Sequence, residues 1–225
     1  MIWQDQGFLL SINKYNENSA IAEFFTEFHG KTTGLIFGSS SKKIKNYLLV
    51  GNNFHLNFKS KNDVRIGYFK VEIKEIKTPI YFDNQKKLFC IIYAMNLLKI
   101  LTVDNQVNNN IFELIKKLFV FLNDDKWLTN FIFWELEVYK NIGYNIDFKN
   151  YVKNITLNGE KKYIVESTKK IIPNFLINKK FKPNSNDLIE GFKIVGDFLD
   201  KTILKPNNIN LPLSRVEFGN LIKRI

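Results

Sequence analysis

The apolar residues of this chain change their spacing near Pro79, and this change limits the folds that the chain can adopt. Over residues 53–60 they alternate with polar residues, which is typical of a half-buried β-strand. After Asp83 they recur at steps of three and four, which indicates helices with one apolar face. We therefore predict an α+β protein with a β-domain over residues 1–78 and an α-helical domain over residues 79–225.

A hairpin within residues 19–45 is the clearest element of the β-domain. Its two strands meet at residues 28–31, where Gly30 supplies the backbone freedom of a tight turn, and a polar loop that ends in lysines follows. Five short strands with turn signals between them precede Pro79, and two of the five form this hairpin. The pattern fits a closed barrel of the OB type, although an SH3-like barrel or half of a β-sandwich has a similar pattern.

The second domain contains stretches with helical spacing and one stretch without it. The excursion at about 144–181 is irregular, with a small hairpin around residues 158–159. Asn186, Asp187 and Ser214 are predicted to cap the last two helices. The predicted helices span residues 85–101, 111–122, 127–142, 188–204 and 215–224.

The chain is strongly basic, with a net charge of +11 and a pI of about 9.5. Such a balance favours anionic partners: nucleic acid, acidic protein tails or a lipid surface. However, the chain is rich in Asn, Ile and Phe as well as Lys, which indicates a drift of composition toward AT-rich codons. Such a drift adds lysines that have no function. The positions of the charges are therefore more informative than their sum.

Basic residues cluster in two adjacent loops of the predicted barrel. Nearly all are lysines, which bind phosphate as point charges, whereas arginine reads guanine edges with two hydrogen bonds. We therefore predict binding to the nucleic-acid backbone without sequence readout. Of the aromatic residues between the clusters, most should be core and one or two should stack on bases; they are Phe54, Phe58, Tyr68 and Phe69. The predicted DNA-binding residues are Lys31, Lys42, Lys43, Lys45, Lys59, Lys61 and Arg65.

No motif in the chain predicts catalysis. Residues 30–32, Gly-Lys-Thr, end like a phosphate-binding loop, but Phe25 stands where that motif needs a glycine. His29 and His55 have no second histidine and no pair of carboxylates near them in the sequence. The two acids at 124–125 are better explained by capping of the next helix. We predict a protein that is not an enzyme, with no catalytic residue, no cofactor and no metal site.

Cys90 is the single cysteine, so the chain has no internal disulfide and no cysteine-based metal site. It lies in an apolar run and is predicted to be a core residue. The first residues have no signal-peptide pattern, and no apolar run is long enough to cross a membrane. We expect a bacterial cytoplasmic protein with no membrane partner.

Several short motifs, taken in chain order, resemble the RecO family of bacterial recombination mediators. In the β-domain they are Gly7-Phe8-Leu9-Leu10, Glu17-x-Ser19-x-Ile21, Phe25-Thr26-x-x-x-Gly30 and Gly34-x-x-x-Gly38. In the helical domain they are Trp134-Glu135-Leu136, Ile142-Gly143-Tyr144-x-x-x-Phe148, Gly191-Phe192, Phe198-Leu199 and Leu211-Pro212-x-x-Arg215-x-x-Phe218. The resemblance covers nearly the whole chain, and no single motif decides it.

This resemblance implies an N-terminal OB-fold, a helical C-terminal domain and no catalytic residues. It implies binding to single-stranded and double-stranded DNA, annealing of complementary strands and a nucleoid-associated location. The implied partners are RecR and the acidic C-terminal tail of single-strand DNA-binding protein. RecF and RecA are implied as indirect partners, because the family helps to load RecA on coated single strands.

Two features depart from the family pattern. Many members have a four-cysteine zinc motif after the turn at residues 143–144, but Tyr151 stands near its first position, so we predict that the zinc motif is lost. Many members also have an arginine just before the aromatic–Glu pair, in the region of tail docking, where this chain has Ile132 and Phe133. The predicted partner-binding residues are Lys126, Lys140 and Arg215.

Other functions stay open on the sequence. One alternative is a protein-interaction scaffold that recruits RecR and single-strand DNA-binding protein and binds DNA only weakly. An OB-type RNA chaperone is another, whereas a nuclease would need clustered acids that the spacing does not supply.

Overall fold

The computed structural model of the chain describes residues 1–61, 66–157, 160–165 and 170–224. The chain forms two compact units, residues 1–119 and residues 120–225. The first unit holds a barrel and the two helices that follow it, and the second unit holds the remaining helices and a small sheet. The predicted α+β class, with strands first and helices after them, is confirmed.

Five strands close into a barrel in the order β1-β2-β3-β5-β4. The long first strand closes it, because its first half pairs with β4 and its second half with β2, with a shift of register between Leu9 and Ser11. β3 and β5 pair in parallel, and the other neighbours are antiparallel. The OB-type barrel is therefore confirmed. The strands are β1 Ile2–Asn16, β2 Ser19–Thr26, β3 Gly30–Phe37, β4 Asn53–Lys59 and β5 Gly67–Glu75.

The barrel encloses an apolar core built from the inward positions of its strands. A one-turn helix, α1 (Lys42–Lys45), connects β3 to β4, and Leu48 just after it is buried in the same core. The other core side chains are Leu9, Ala22, Phe24, Ile36, Phe54, Leu56, Phe58 and Phe69.

Two long helices complete the first unit: α2 (Gln85–Leu101) and α3 (Asn109–Phe121). α2 spans the predicted residues, and the side chain of Asn84 caps it by accepting a hydrogen bond from the Lys87 backbone at 3.1 Å. Cys90 is buried in this helix. The change from strand to helix thus falls near Pro79, whereas the first compact unit continues to residue 119, because the ring of Phe8 on β1 packs against Phe112 and Phe119 of α3.

The second unit is built on α4 (Trp127–Asn141), whose inward side chains are fully or nearly fully buried. The predicted hairpin is present as the first two strands of a three-stranded antiparallel sheet, and its tip at 158–159 lies outside the described residues. The remaining elements are β6 Val152–Leu157, β7 Glu160–Val165, β8 Ile171–Ile172, α5 Asn174–Ile177, α6 Ser185–Phe198 and α7 Leu213–Ile222.

The predicted helix ends are less accurate in this unit than in the first. α6 begins at Ser185 with a capping box between Asn184 and Asp187, and it ends at Phe198, where a turn of π-helix follows. Ser214 lies inside α7, so its predicted capping role is wrong. Capping by the acids at 124–125 is also wrong, because Lys126 is the cap residue of α4 and the Asp124 carboxylate accepts a hydrogen bond from Asn130 at 3.4 Å.

Candidate nucleic-acid interface

One side of the barrel is covered by the helices of its own unit. Phe8 on β1 is buried against two rings of α3, and its cross-strand partner Phe25 on β2 is also fully buried, although both residues point away from the barrel core. Next to them, the Lys99 ammonium of α2 lies 2.8 Å from a carboxylate oxygen of Glu23. The outer face of β1 and β2 is therefore covered around Phe8, Phe25 and Glu23.

Lys31, a predicted DNA-binding residue, belongs to this covered side. Its ammonium donates a hydrogen bond to the backbone carbonyl of Lys99 at 2.9 Å and lies 3.1 Å from a carboxylate oxygen of Asp104. Its side chain is only 12% exposed. A cation at the C-terminal end of a helix is stabilised by the free carbonyls there. Lys31 therefore joins β3 to the C-terminal end of α2.

Gly30, at the turn before Lys31, has a second role that the sequence does not show. Its φ of +67° suits the turn, and an added Cβ would lie 2.1 Å from the carbonyl oxygen of Gln106. The loop between α2 and α3 runs beside the start of β3, where the backbone of Asn105 donates a hydrogen bond to the carbonyl of Lys31 at 2.8 Å. Only glycine leaves room for this loop.

His29 lies beside a carboxylate that is distant from it in the sequence. Its Nδ1 is 2.7 Å from Asp5 Oδ2, and its ring stacks on Trp3 with centroids 4.0 Å apart and planes at 8°. The same oxygen of Asp5 accepts a hydrogen bond from the backbone of Phe28 at 2.9 Å. These contacts hold the β2–β3 turn against β1, which is a structural role.

The opposite side of the barrel, formed by β4 and β5, is open and basic. Outward positions alternate along both strands, and they place Lys59, Lys70 and Lys74 in solvent. Lys59 pairs with Tyr68, and Lys70 pairs with Asn57. Lys61 is exposed just after β4, and Arg65 lies outside the described residues.

The second predicted cluster is exposed at the end of β3. Lys42, Lys43 and Lys45 make up most of α1, and all three side chains are exposed, while Ile44 between them packs against the barrel core. Because the core anchors this turn, the backbone from which the three lysine side chains extend is held in place. Among the described residues, no ion pair involves any of the three.

Most of the aromatic residues predicted near the clusters are core residues, as expected. Phe54, Phe58 and Phe69 are buried, and Tyr68 is 41% exposed. Phe37 was not among the aromatic residues predicted to stack on bases. It is 59% exposed, and its ring centroid lies 5.8 Å from that of Tyr68. The alternation of β3 could have placed Phe37 on the outer face, because it has the same parity as Lys31.

Comparison with known proteins supports the two-part organisation. Residues 1–76 match the family model described as Recombination protein O N terminal, and residues 84–170 match the model described as Recombination protein O C terminal. The chain belongs to the RecO family. The first RecO match contains the whole barrel, and the second begins at the start of α2. The resemblance that the sequence motifs indicated is confirmed.

Two of three similar RecO proteins match along nearly the full length of the chain, and the third matches about two thirds of it. The DNA repair protein RecO of Ehrlichia chaffeensis is 26% identical over 246 residues, which cover 99% of this chain and 98% of that protein. The protein of the same name from Rhodospirillum centenum is 21% identical over 234 residues, covering 97% and 93%. The one from Ruegeria is 28% identical over 148 residues, covering 65% and 61%.

The three residues predicted to bind RecO partners do not form one site. Arg215 is 4% exposed and its guanidinium bonds to Glu135 inside the second unit, so it is not available to a partner. Lys126 and Lys140 are exposed, but they stand at opposite ends of α4, about 21 Å apart along the helix axis.

A lysine from a distant segment lies beside the aromatic ring of Phe133 on α4. Ile132 is fully buried, whereas Phe133 is partly exposed and contacts the ring of Phe175 at 5.9 Å between centroids. The ammonium of Lys179, from the segment after α5, lies 4.8 Å from the centroid of the Phe133 ring. Lys180 and Lys182 next to it are exposed. The sequence could not show this contact, because 46 residues separate the two positions.

Two kinds of feature are absent from the described residues: a metal-binding cluster and a membrane-spanning helix. No group of three or more His, Cys, Asp or Glu side chains there could hold a metal ion. No helix in the described part of the chain is long and apolar enough to cross a membrane.

Proposed function

We propose that this protein is a DNA recombination and repair mediator that binds single-stranded and double-stranded DNA on the open side of its barrel and anneals complementary strands. The observation that carries the proposal is the open β4–β5 face, with its exposed lysines, on the side of the barrel that α2 and α3 leave free. The α1 lysines add charge at the end of β3. Membership of the RecO family supports the role in recombination.

Annealing needs repulsion between two phosphate backbones to be reduced. Lysines that neutralise phosphates release counterions, so affinity falls with salt by a log–log slope of about −0.9 per neutralised phosphate on duplex and about −0.7 on a single strand. Lysine carries no planar fork for reading base edges. A lysine face therefore binds any sequence, which suits a protein that brings complementary strands of any sequence together.

Annealing of complementary oligonucleotides across a salt series tests this proposal. We expect the protein to accelerate annealing at low salt and to lose the effect as salt rises, because the interaction is electrostatic. No acceleration at the lowest salt would overturn it. RNA strands in parallel test the chaperone alternative, which predicts an equal or larger effect on RNA.

Recruitment belongs to the same proposal. We propose that the acidic C-terminal tail of single-strand DNA-binding protein docks near Lys179 and Phe133, where a cation and exposed ring surface lie together. RecR is the second proposed partner, and loading of RecA on coated single strands is the proposed outcome. If charge reversal on the barrel abolishes DNA binding but leaves tail binding and RecA loading intact, the protein acts as a scaffold instead.

A further inference from the structure

Two large aromatic rings stand side by side in solvent on the open side of the barrel. Phe37 at the end of β3 is 59% exposed and Tyr68 near the start of β5 is 41% exposed. Their ring centroids are 5.8 Å apart, with planes at 55°. We infer that Phe37 and Tyr68 form a platform on which unpaired bases of single-stranded DNA stack, and this inference rests on the proposed function.

The strands that carry the platform are held by rings on the inner side of the barrel. Gly34 on β3 pairs with Gly67 on β5. A Cβ at Gly67 would lie 2.2 Å from the Phe58 ring, and one at Gly34 would lie 2.6 Å from the Phe69 ring. The core thus packs directly on these two backbones. This packing pre-organises the backbone that carries the platform, and pre-organisation lowers the entropic cost of binding.

Positive charge borders the platform on the side where a backbone would pass. Lys59 on β4 pairs directly with Tyr68, so the two Cβ atoms are about 5 Å apart. Lys70 is the next outward residue of β5 after Tyr68, about 7 Å along the strand. Both lysines are exposed. The next outward residue, Glu72, pairs with His55 and separates these two lysines from Lys74 further along β5.

Rings and lysines together identify the class of ligand. Exposed rings alone would suit an apolar peptide, but two bordering ammonium groups favour a chain that alternates flat apolar surfaces with negative charges. Single-stranded nucleic acid has this structure, and base stacking on aromatic side chains tolerates any base. In a duplex the bases stack on one another, so the platform should distinguish unpaired from paired DNA while the lysines bind both.

The test compares a double variant, Phe37→Ala with Tyr68→Ala, with the unchanged protein. Affinity is measured for an oligothymidine strand, for the same strand with abasic sites in place of its bases, and for a duplex of equal length. We expect the variant to bind oligothymidine roughly 5- to 150-fold more weakly, the range for losing one stacked base. Its affinity for the duplex and for the abasic strand should not change, because those contacts depend on lysine.

Phe28→Ala is the matched control. Phe28 has a similar exposure, 61%, but stands at the β2–β3 turn, about 23 Å along β3 from Phe37. It should leave all three affinities unchanged. Since all three rings are exposed, thermal unfolding should be the same for every variant.

The outcomes separate this inference from the proposed function. If the unchanged protein binds both strand types and the double variant binds oligothymidine equally well, the platform is wrong and the lysine interface stands. Equal losses on oligothymidine and duplex would also overturn the platform. If the unchanged protein binds neither, the proposed function itself fails.

Discussion

Arg215 of α7 donates a hydrogen bond from Nη1 to Oε1 of Glu135 on α4, and both side chains are inside the second unit, 4% and 0% exposed. The guanidinium also donates from Nη2 to the backbone carbonyl of Phe192 at 2.8 Å and lies 4.0 Å from the centroid of that ring. The Tyr139 hydroxyl donates to the same Glu135 oxygen at 3.0 Å. One ion pair thus joins α4, α6 and α7.

We expect Arg215→Met to lower the free energy of unfolding by about 3–5 kcal/mol, because it leaves the Glu135 carboxylate buried without its ion-pair partner. Urea denaturation followed by the fluorescence of Trp127 and Trp134, both in the second unit, measures the loss. Lys140→Met, which removes an exposed charge, should change the free energy by less than about 0.5 kcal/mol.

The double variant with Glu135→Met and Arg215→Met separates burial from pairing. With both charges removed, no carboxylate is left uncompensated, so the double variant should be more stable than Arg215→Met alone. If Arg215→Met instead keeps full stability and loses binding to RecR or to the acidic tail, the buried ion pair is not the main role of Arg215.

A second prediction compares two lysines on outward positions of the barrel. Lys31→Met should lower the free energy of unfolding by about 1–3 kcal/mol, because Lys31 bonds to the Lys99 carbonyl and to Asp104. It should leave DNA affinity and its salt slope unchanged. Lys59→Met should do the reverse: unchanged stability and a single-strand slope smaller by about 0.7. Reversed results would move the interface to the covered side.

A third prediction concerns the α1 lysines. Lys42→Glu, Lys43→Glu and Lys45→Glu together should weaken binding to single-stranded DNA and flatten its salt slope by about 0.7 for each phosphate that the protein no longer neutralises. A control with the same change in net charge reverses exposed lysines of the second unit: Lys193, Lys201 and Lys223. Equal effects of the two triple variants would mean that total charge, not the α1 position, determines binding.

A fourth prediction tests the tail site. Lys179→Glu should weaken binding of a labelled acidic C-terminal tail peptide by about 2- to 5-fold, the range expected for one exposed charge contact. Fluorescence anisotropy measures it. Lys126→Glu and Lys140→Glu carry the same charge change at the two ends of α4, and a loss with either of them but not with Lys179→Glu would place the tail at α4 instead.

Features that depend on nearby residues were predictable. α2 was predicted with its observed bounds, because apolar spacing over four turns and a local asparagine cap suffice to define it. The α6–π-turn junction was missed, since nothing between Phe198 and Leu204 breaks the helical spacing. Lys31 and Lys59 were both predicted to bind DNA, but the Lys31 ammonium is bonded to the end of α2, whereas the Lys59 side chain is exposed.

The sequence by itself determined the kind and order of the elements and the family, because hydrophobic spacing, turns and motifs are properties of neighbouring residues. The tertiary structure decided which charges are available. The Lys31 ammonium is bonded to the backbone carbonyl of Lys99, which is 68 residues later in the chain. The Arg215 guanidinium is buried in an ion pair with Glu135, which is 80 residues earlier. Such contacts depend on how helices pack on strands and on one another, which no local pattern encodes.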